Sequence, residues 1–366
     1  MINKLKLTTF VAAGAIALGA MAAVPANAAD SLTVVSWGGA YTKSQVEAYH
    51  KPFTKKTGVE ILSENYSGGL AEIKAQVEAG SVKWDIVDVE LSDAVRGCDE
   101  GLLEPIDASI LPPAPDGTPA TKDFIDGAIT DCAVASIVWS TIYAYDKSKF
   151  SGDMPKTIGD FFDLKKFPGK RGMRKTPKAN LEMALAADGV PTSEIYDVLA
   201  TDAGVDRAFA KLDTIKDSVV WWEAGAQPPQ LLADGEVLMT TAYNGRIFNA
   251  IAAEKKSFDI VWDAQVFDTD LFVVVKGAPN KKTAMDFIAF ATDTQRLADQ
   301  AKWISYGPAR KSSAPLIGKH AEAGIPMGPH MPTAPENFKT AIQNDFEFWA
   351  DRQDELNNRF NSWLAN

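Results

Sequence analysis

Apolar runs of strand length alternate with amphipathic stretches in the first part of the chain. The runs at 32–36, 59–63 and 84–89 predict three buried strands, because each is short and apolar and is bounded by turn-forming residues. Between them, apolar side chains recur at helical spacing at 46–53 and 70–77. Strands that alternate with helices predict a parallel sheet with helices packed on its faces.

Pro52 lies inside the first predicted helix. Proline has no amide hydrogen to donate and its ring crowds the preceding turn, so we expect this helix to kink or to end early. Gly58 follows the apolar stripe and is the expected stop signal.

A second α/β unit follows a Pro/Gly-rich loop at 111–119. The β-branched and aromatic run at 133–145 predicts a long strand that leaves a first lobe for a second one. A polar stretch at 335–364 predicts a C-terminal helix. Further strands are predicted at 171–175, 219–222, 237–242, 258–262 and 271–275, and further helices at 177–188, 203–216 and 281–291.

The predicted fold is an α/β clamshell of two lobes, each a mostly parallel sheet flanked by helices. Lobe 1 is expected to comprise 29–142 and about 268–330, and lobe 2 to comprise 143–267. Residues 331–366 are expected to form a helical segment that packs on the lobes. Open α/β sheets bind ligands at the carboxyl ends of their strands, so a ligand cleft is expected between the lobes.

Residues 1–28 have the pattern of a cleaved signal peptide. Two lysines precede an uncharged apolar run at 8–24, and the small-residue motif at 26–28 predicts cleavage before Ala29. A membrane anchor is the alternative, but the run is shorter than the roughly 20 apolar residues that span a bilayer. We therefore expect secretion to the periplasm.

The chain has two cysteines, Cys98 and Cys132. An even pair in an exported protein predicts one disulfide, because the periplasm is oxidising. The alternative is a pair of buried, unbridged thiols.

Composition and motifs disfavour several functional classes. The formal net charge of −11 disfavours nucleic acid as a partner. Three scattered histidines are too few for a metal hydrolase, and no metalloprotease, nucleophile-elbow, phosphate-loop or dinucleotide motif is present. We therefore expect no catalytic residues, no metal and no cofactor, and a binding protein rather than an enzyme.

Several short segments stand in the same order and spacing as in a known family, at 36–37, 53–59, 84–87, 234–237, 243–245, 267–270 and 306–308. With these segments, the chain resembles the periplasmic spermidine/putrescine-binding proteins, within the bacterial extracellular solute-binding proteins of ABC transporters. The resemblance implies a type II-like periplasmic-binding-protein clamshell, a monomer that closes on a small amine and delivers it to an ABC permease in the inner membrane.

The resemblance also implies a ligand site. Trp37 and Tyr41 would form one wall, Tyr243 would lie on the facing lobe, Asp270 would accept the ammonium and Tyr306 would close one end. A carboxylate offers an ammonium charge-assisted hydrogen bonds, and aromatic faces add cation–π contacts of roughly 0.5–2 kcal/mol.

Two charged residues depart from the family pattern. Glu90 replaces a small hydroxyl residue after the third strand and is a possible second carboxylate. Arg246 follows the turn at 243–245 and would either clamp a ligand carboxylate or pair with an acidic residue of the protein.

An acidic pair of the family is also missing. Thr176 and Ala179 stand in its place, and Arg174, Lys175 and Lys178 surround them. This basic trio either makes one end of the pocket neutral or basic, or belongs to a solvated face.

The remaining candidates have structural alternatives. Asp270 borders an apolar strand, where an unpaired carboxylate is costly, so it needs either a ligand or a structural partner. Asp268 points to the same strand face and is the second choice for this role. Trp37 and Trp222 are candidate cleft-wall residues that could instead belong to the core.

The predicted function is that of the substrate-binding component of an ABC importer for a small amine of the polyamine type. The alternative within this class is a zwitterionic ω-amino acid such as γ-aminobutyrate, with Asp270 on the ammonium and Arg246 on the carboxylate. A secreted hydrolase and a sensor-binding protein are alternatives from other classes, and the hydrolase lacks a nucleophile–base constellation.

Overall fold

The computed structural model describes residues 31–365. The predicted signal peptide at 1–28 and its cleavage site lie outside the described residues. Within 31–365, no helix combines the length and the hydrophobicity needed to cross a membrane.

Within residues 31–365, ten strands form one mixed sheet. The strands are β1 (Ser31–Ser36), β2 (Glu60–Asn65), β3 (Ile86–Glu90), β4 (Ala133–Asp146), β5 (Arg171–Arg174), β6 (Val219–Trp222), β7 (Met239–Tyr243), β8 (Phe258–Val274), β9 (Gly307–Pro308) and β10 (Ile342–Gln343). The order in the sheet is β2-β1-β3-β8-β4-β7-β5-β6, with β10 paired to β8 and β9 paired to β4.

Helices flank this sheet, so the predicted α/β class is confirmed. The α-helices are α1 (Gly39–Gln45), α2 (Lys51–Thr57), α3 (Ala71–Glu78), α4 (Leu91–Asp99), α5 (Ala120–Asp123), α6 (Ile158–Phe162), α7 (Asn180–Ala187), α8 (Ile195–Leu199), α9 (Asp202–Asp213), α10 (Gln227–Ala233), α11 (Asn244–Ala252), α12 (Lys281–Ala291), α13 (Thr294–Gln300) and α14 (Phe346–Ala365). In the described part of the chain, 3₁₀ turns lie at Ala108–Ile110, Lys147–Lys149, Thr192–Glu194, Lys216–Ser218, Lys311–Leu316 and Gly328–His330.

The helix around Pro52 does not end early. A π-helical turn at Val46–His50 lies between α1 and α2, and Pro52 falls in the first turn of α2. The wider turn gives room to the proline ring, and a proline at a helix start lacks only an amide that has no partner there. Helical structure therefore continues to Thr57, and Gly58 ends it with a φ of +82°.

Strands β4 and β8 pair antiparallel along most of their lengths and run through both lobes. The sequence predicted two separate strands at 258–262 and 271–275, which was wrong, because β8 is continuous over both. Polar residues between the two apolar runs suggested a break. The strand instead passes them through an irregularity opposite Thr141–Tyr143, where Ala264 has a φ of +53°.

Buried apolar side chains form two large cores. The first core draws on 32–135 and 271–309, and the second draws on 143–266 and 342–360. We call the elements around them the first lobe and the second lobe. The lobe boundaries expected at 142/143 and 267/268 fall inside β4 and β8, so the chain crosses between the cores within paired strands.

The C-terminal stretch differs from its prediction. The helix begins only at Phe346, and Ile342–Gln343 pairs with β8 as the short strand β10. Trp349, Leu356 and Phe360 of α14 belong to the second core. The same helix reaches the first lobe, since Arg96 of α4 donates to Asp354 over 2.9 Å.

Cys98 of α4 and Cys132 before β4 form a disulfide, with their Cα atoms 5.8 Å apart. The predicted bridge is therefore confirmed. It ties a helix of the first lobe to the start of the long strand that leads into the second lobe.

Replacing both cysteines by serine should lower the free energy of unfolding by about 3 kcal/mol, because the bridge closes a loop with a sequence separation of 34. Urea denaturation followed by circular dichroism measures this loss. Reductant should shift the wild-type midpoint and leave that of the double variant unchanged. Equal midpoints for the two proteins without reductant would contradict the expectation.

Candidate functional site

The carboxyl ends of β1, β3 and β7 meet the middle of β4 and β8 between the two lobes. Side chains from these ends surround a small, partly open space, which we call the inner cavity. Its position agrees with the cleft expected at the strand ends of an open α/β sheet. The lining residues are Trp37, Tyr41, Glu90, Trp139, Tyr243, Arg246, Asp270 and Tyr306.

Aromatic rings make most of the cavity wall. Tyr41 and Tyr306 meet edge to face with centroids 5.4 Å apart, and Trp139 and Tyr243 do so at 5.0 Å. This packing requires a glycine at Gly245, where a Cβ atom would come within 2.6 Å of the Tyr306 ring. The rings offer apolar and π surface to the methylenes and the cation of an amine.

Asp270 is a buried carboxylate without a cationic partner among residues 31–365. The indole Nε1 of Trp139 donates to its Oδ1 over 2.7 Å. Burial, together with the negative charges of Asp88, Glu90 and Asp268, raises the pKa of Asp270 well above its ordinary value. A ligand ammonium would therefore relieve both the desolvation and the repulsion.

Arg246 is the cation of the cavity. Its Nη1 and Nη2 atoms donate to the backbone carbonyls of Gly38 and Trp37 over 2.5 and 3.1 Å, and in the described part of the chain it has no acidic partner. Gly39 permits this approach, because a Cβ atom there would lie 2.7 Å from Nη1. Arg246 is 4% exposed as a residue, and its Nε has no hydrogen-bond partner in residues 31–365.

Glu90 lines the cavity but is already paired. Lys178 Nζ lies 2.7 Å from Oε2, and Arg174 Nη1 lies 3.5 Å from Oε1. Burial alone would raise the pKa of Glu90, but the two cations hold it below its ordinary value. Glu90 is thus an ionised carboxylate with protein partners.

The basic trio is split by the fold. Lys175 is exposed and pairs with Glu223, as a solvated residue does. The side chains of Arg174 and Lys178 are only 20% and 10% exposed, so a solvated face was the wrong interpretation for these two.

Two predicted site residues lie outside the inner cavity. Asp268 accepts hydrogen bonds from the side chain of Asn344 and from the amide of Thr269. Trp222 lines an adjoining cavity and packs edge to face on Tyr243, with centroids 5.6 Å apart. Neither residue is therefore part of the wall of the inner cavity.

Trp139 was missed by the sequence analysis. It lies in the middle of β4, diagonally across from Asp270 in the β4–β8 ladder. A signal was present, since a tryptophan inside a fully buried strand needs an acceptor for its indole N–H. The sequence alone does not show that this acceptor is 131 residues away.

Asp88 is a second buried carboxylate beneath the site. Gln45 Nε2 donates to it over 2.5 Å and Ser36 Oγ lies 3.4 Å away. Burial raises its pKa to about 7. Within residues 31–365, no group of His, Cys, Asp or Glu is arranged to hold a metal ion.

Comparison with known proteins assigns the chain to a family. The profile described as "Bacterial extracellular solute-binding protein" matches residues 48–333, so the chain belongs to this family. Such proteins are the non-enzymatic binding components of ABC transporters, and they deliver small ligands to permeases. The expected class of protein is thereby confirmed.

Several relatives cover nearly the whole chain. A gamma-aminobutyric acid-binding protein from Pseudomonas aeruginosa is 46% identical over 348 residues, 94% of each chain. The periplasmic binding protein MotA of A. tumefaciens B6, in complex with glucopine, is 32% identical, with a TM-score of 0.83 over 91% of this chain and 99% of that one. The Atu4243–GABA receptor is 33% identical, with a TM-score of 0.77 over 92% and 98%.

The polyamine-binding resemblance is a resemblance of fold. The spermidine/putrescine-binding protein PotD of Streptococcus pneumoniae is 15% identical, with a TM-score of 0.66 over 92% of this chain and 99% of that one. This similarity supports the clamshell architecture and carries no information on the ligand.

Stability should depend on pH through Asp88. The pKa of Asp88 is about 7 in the folded protein and about 3.9 in an unfolded chain. The free energy of unfolding should therefore fall as pH rises from about 3.9 to about 7, because the folded protein must then bury an ionised carboxylate. Asp88→Asn should therefore stabilise the protein at pH of about 7.5 relative to wild type, by on the order of a few kcal/mol, and should make little difference at pH of about 4. Chemical denaturation at both pH values measures this, with the exposed Asp126→Asn as a control. A benefit that is equal at both pH values would contradict the assignment.

Proposed function

We propose that this solute-binding protein captures a zwitterionic ω-amino acid of the γ-aminobutyrate type in the periplasm and delivers it to an ABC permease of the inner membrane. The observation that carries the proposal is the pair of unmatched charges in one desolvated cavity, Asp270 and Arg246. The protein is proposed to act as a monomer that closes its lobes around the ligand.

Charge balance separates the candidate ligands. A buried charge without a partner costs several kcal/mol, so the ligand must bring a cation to Asp270 and an anion to Arg246. A diamine would satisfy Asp270 and leave Arg246 unpaired beside a second cation. Glu90 cannot serve that second ammonium without giving up Lys178 and Arg174. An ω-amino acid has one charge for each residue.

Unused hydrogen-bond donors also favour a ligand carboxylate. The indole Nε1 of Trp37 and the Nε of Arg246 are buried, and neither has an acceptor in the described part of the chain. Both residues line the inner cavity. A diamine brings only donors, whereas a carboxylate brings acceptors for such groups.

The relatives point in the same direction. The 46% identical protein from Pseudomonas aeruginosa is a gamma-aminobutyric acid-binding protein, and one of the similar structures is a GABA receptor. The polyamine hypothesis rested on a resemblance that extends only to the fold. We therefore prefer the zwitterion to the polyamine.

Lobe closure is part of the proposed mechanism. Arg246 of α11 reaches carbonyls of the first lobe, and Lys178 of the second lobe reaches Glu90 at the end of β3. Both contacts join the second lobe to the first. A ligand that pairs with Asp270 and Arg246 adds its own charges to these contacts and favours the closed arrangement.

Asp270→Asn should weaken γ-aminobutyrate binding by roughly 2–5 kcal/mol, because the ammonium loses its charged partner in a desolvated site. Asp268→Asn is the matched control: it removes an equally buried carboxylate of the same strand that lies outside the cavity. Calorimetry with γ-aminobutyrate on the two variants measures the difference. Unchanged affinity in Asp270→Asn would show that the ammonium site is misplaced.

Arg246→Ala should abolish γ-aminobutyrate binding and leave the binding of putrescine unchanged or improved. The side chain also holds the carbonyls of Trp37 and Gly38, so a purely structural role would weaken both ligands alike. Titrating each ligand into the variant and into wild type separates the two roles. Wild-type protein that binds putrescine more tightly than γ-aminobutyrate would overturn the proposal.

A further inference from the structure

Glu90 and Asp270 lie side by side in the sheet. They are directly paired across the antiparallel strands β3 and β8, so both side chains stand on the same face. Such partners have Cβ atoms about 5 Å apart. Both residues line the inner cavity, so an ammonium bound at Asp270 has Glu90 as its neighbour.

Glu90 already occupies an anion site within the protein. Lys178 and Arg174 reach it from the second lobe, and Lys178 also donates to Ser92 Oγ over 2.7 Å. Arg174 is held in turn between the rings of Trp37 and Tyr243, 5.8 Å from each centroid. The two cations therefore form a built receptor for one carboxylate, and a side chain of the protein fills it.

This arrangement discriminates between two kinds of amino acid. In an ω-amino acid, the carbon that bears the ammonium bears only hydrogens besides the chain. In an α-amino acid, the same carbon also bears a carboxylate, which would enter the space beside Glu90 once the ammonium is on Asp270. Two carboxylates would then meet in a desolvated cavity whose suitable cations are already engaged, and such like-charge contacts cost several kcal/mol.

We infer that Glu90 is a specificity-determining residue, which takes the place of a ligand α-carboxylate and so excludes α-amino acids from the site. The inference rests on the proposed function, because it assumes that Asp270 holds the ammonium. The inference assigns a role to Glu90, which departs from the family pattern and is not needed to bind either the ammonium or the carboxylate of the ligand.

The space around Glu90 supports this role. Its side chain lines the inner cavity, the adjoining cavity that contains Trp222, and the outer groove that contains Lys175 and Glu223. Truncation at this residue would join these spaces and leave Lys178 and Arg174 without an anion. The truncated site would thus offer both room and charge to an α-carboxylate.

Glutamate is the matched probe, because it is γ-aminobutyrate with one added carboxylate on the carbon that bears the ammonium. We expect wild type to bind γ-aminobutyrate in strong preference to glutamate. Glu90→Ala should shift the ratio of the two affinities toward glutamate by at least about tenfold. The substitution removes the carboxylate that repels the ligand and leaves Lys178 and Arg174 free to pair with the α-carboxylate of glutamate. Calorimetry with both ligands on wild type and variant measures the ratio.

Three further variants make the test specific. Glu223→Ala removes a carboxylate paired to Lys175 in the outer groove and should leave the ratio unchanged. Glu90→Ala combined with Lys178→Met should lose the gain for glutamate, because one of the two receptor cations is gone. Glu90→Gln keeps the side-chain volume and should shift the ratio in the same direction as alanine, and it carries the test if the alanine variant does not melt cooperatively.

The outcomes are distinct. A folded Glu90 variant whose affinity ratio stays at the wild-type value overturns the inference, since a merely structural ion pair would weaken both ligands alike. Wild-type protein that binds glutamate as tightly as γ-aminobutyrate also overturns it, while leaving the proposed function in place. Wild-type protein that does not bind γ-aminobutyrate overturns the proposed function and this inference together.

Discussion

The site depends on the cost of keeping charges out of water. Several carboxylates are buried around the cleft. The protein compensates the cost of burying them in different ways. Glu90 stays ionised because Lys178 and Arg174 pair with it. Asp88 accepts a hydrogen bond from an amide, and its pKa rises to about 7, so that it remains partly protonated near neutral pH. Asp270 has only an indole donor, and in the proposed function a ligand ammonium supplies its cationic partner.

The shared strands explain why these charges meet between the lobes. Because β4 and β8 run through both lobes, the residues where these strands pass from one core to the other face the cleft. Asp270 and Trp139 lie in these crossing segments, whereas Arg246 and Lys178 come from the second lobe alone. A change of angle between the lobes would therefore separate Arg246 and Lys178 from the first lobe while the contact between Asp270 and Trp139 persists. The cavity is complete only when the lobes are together.

Local patterns predicted much of the fold, and distant pairing explains the failures. The strand at 219–222 and the helix at 281–291 have the predicted bounds, because apolar spacing and flanking signals lie within a few residues of each other. The continuity of β8 and the late start of α14 depend on partners far along the chain. The site shows the same division. Asp270 and Arg246 stood out locally as charges at strand and turn boundaries, whereas Trp139 and the pairing of Glu90 with Lys178, 88 residues away, require the fold.

In the proposed function, a few cavity residues on a shared fold select the class of ligand. The fold shared with PotD includes a cleft between two lobes, and aromatic walls suit any ligand with methylenes and an ammonium. What differs between a diamine and an ω-amino acid is the sign of one charge at the far end. In the proposed function, Arg246 makes the cavity favour a carboxylate at that end, because no acidic side chain within residues 31–365 pairs with it. Besides Asp270, Glu90 also lines the cavity as a carboxylate, and Lys178 and Arg174 pair with it instead. The basic pair that departs from the family pattern therefore leaves Arg246 available for a ligand carboxylate, which links two departures that look independent along the chain.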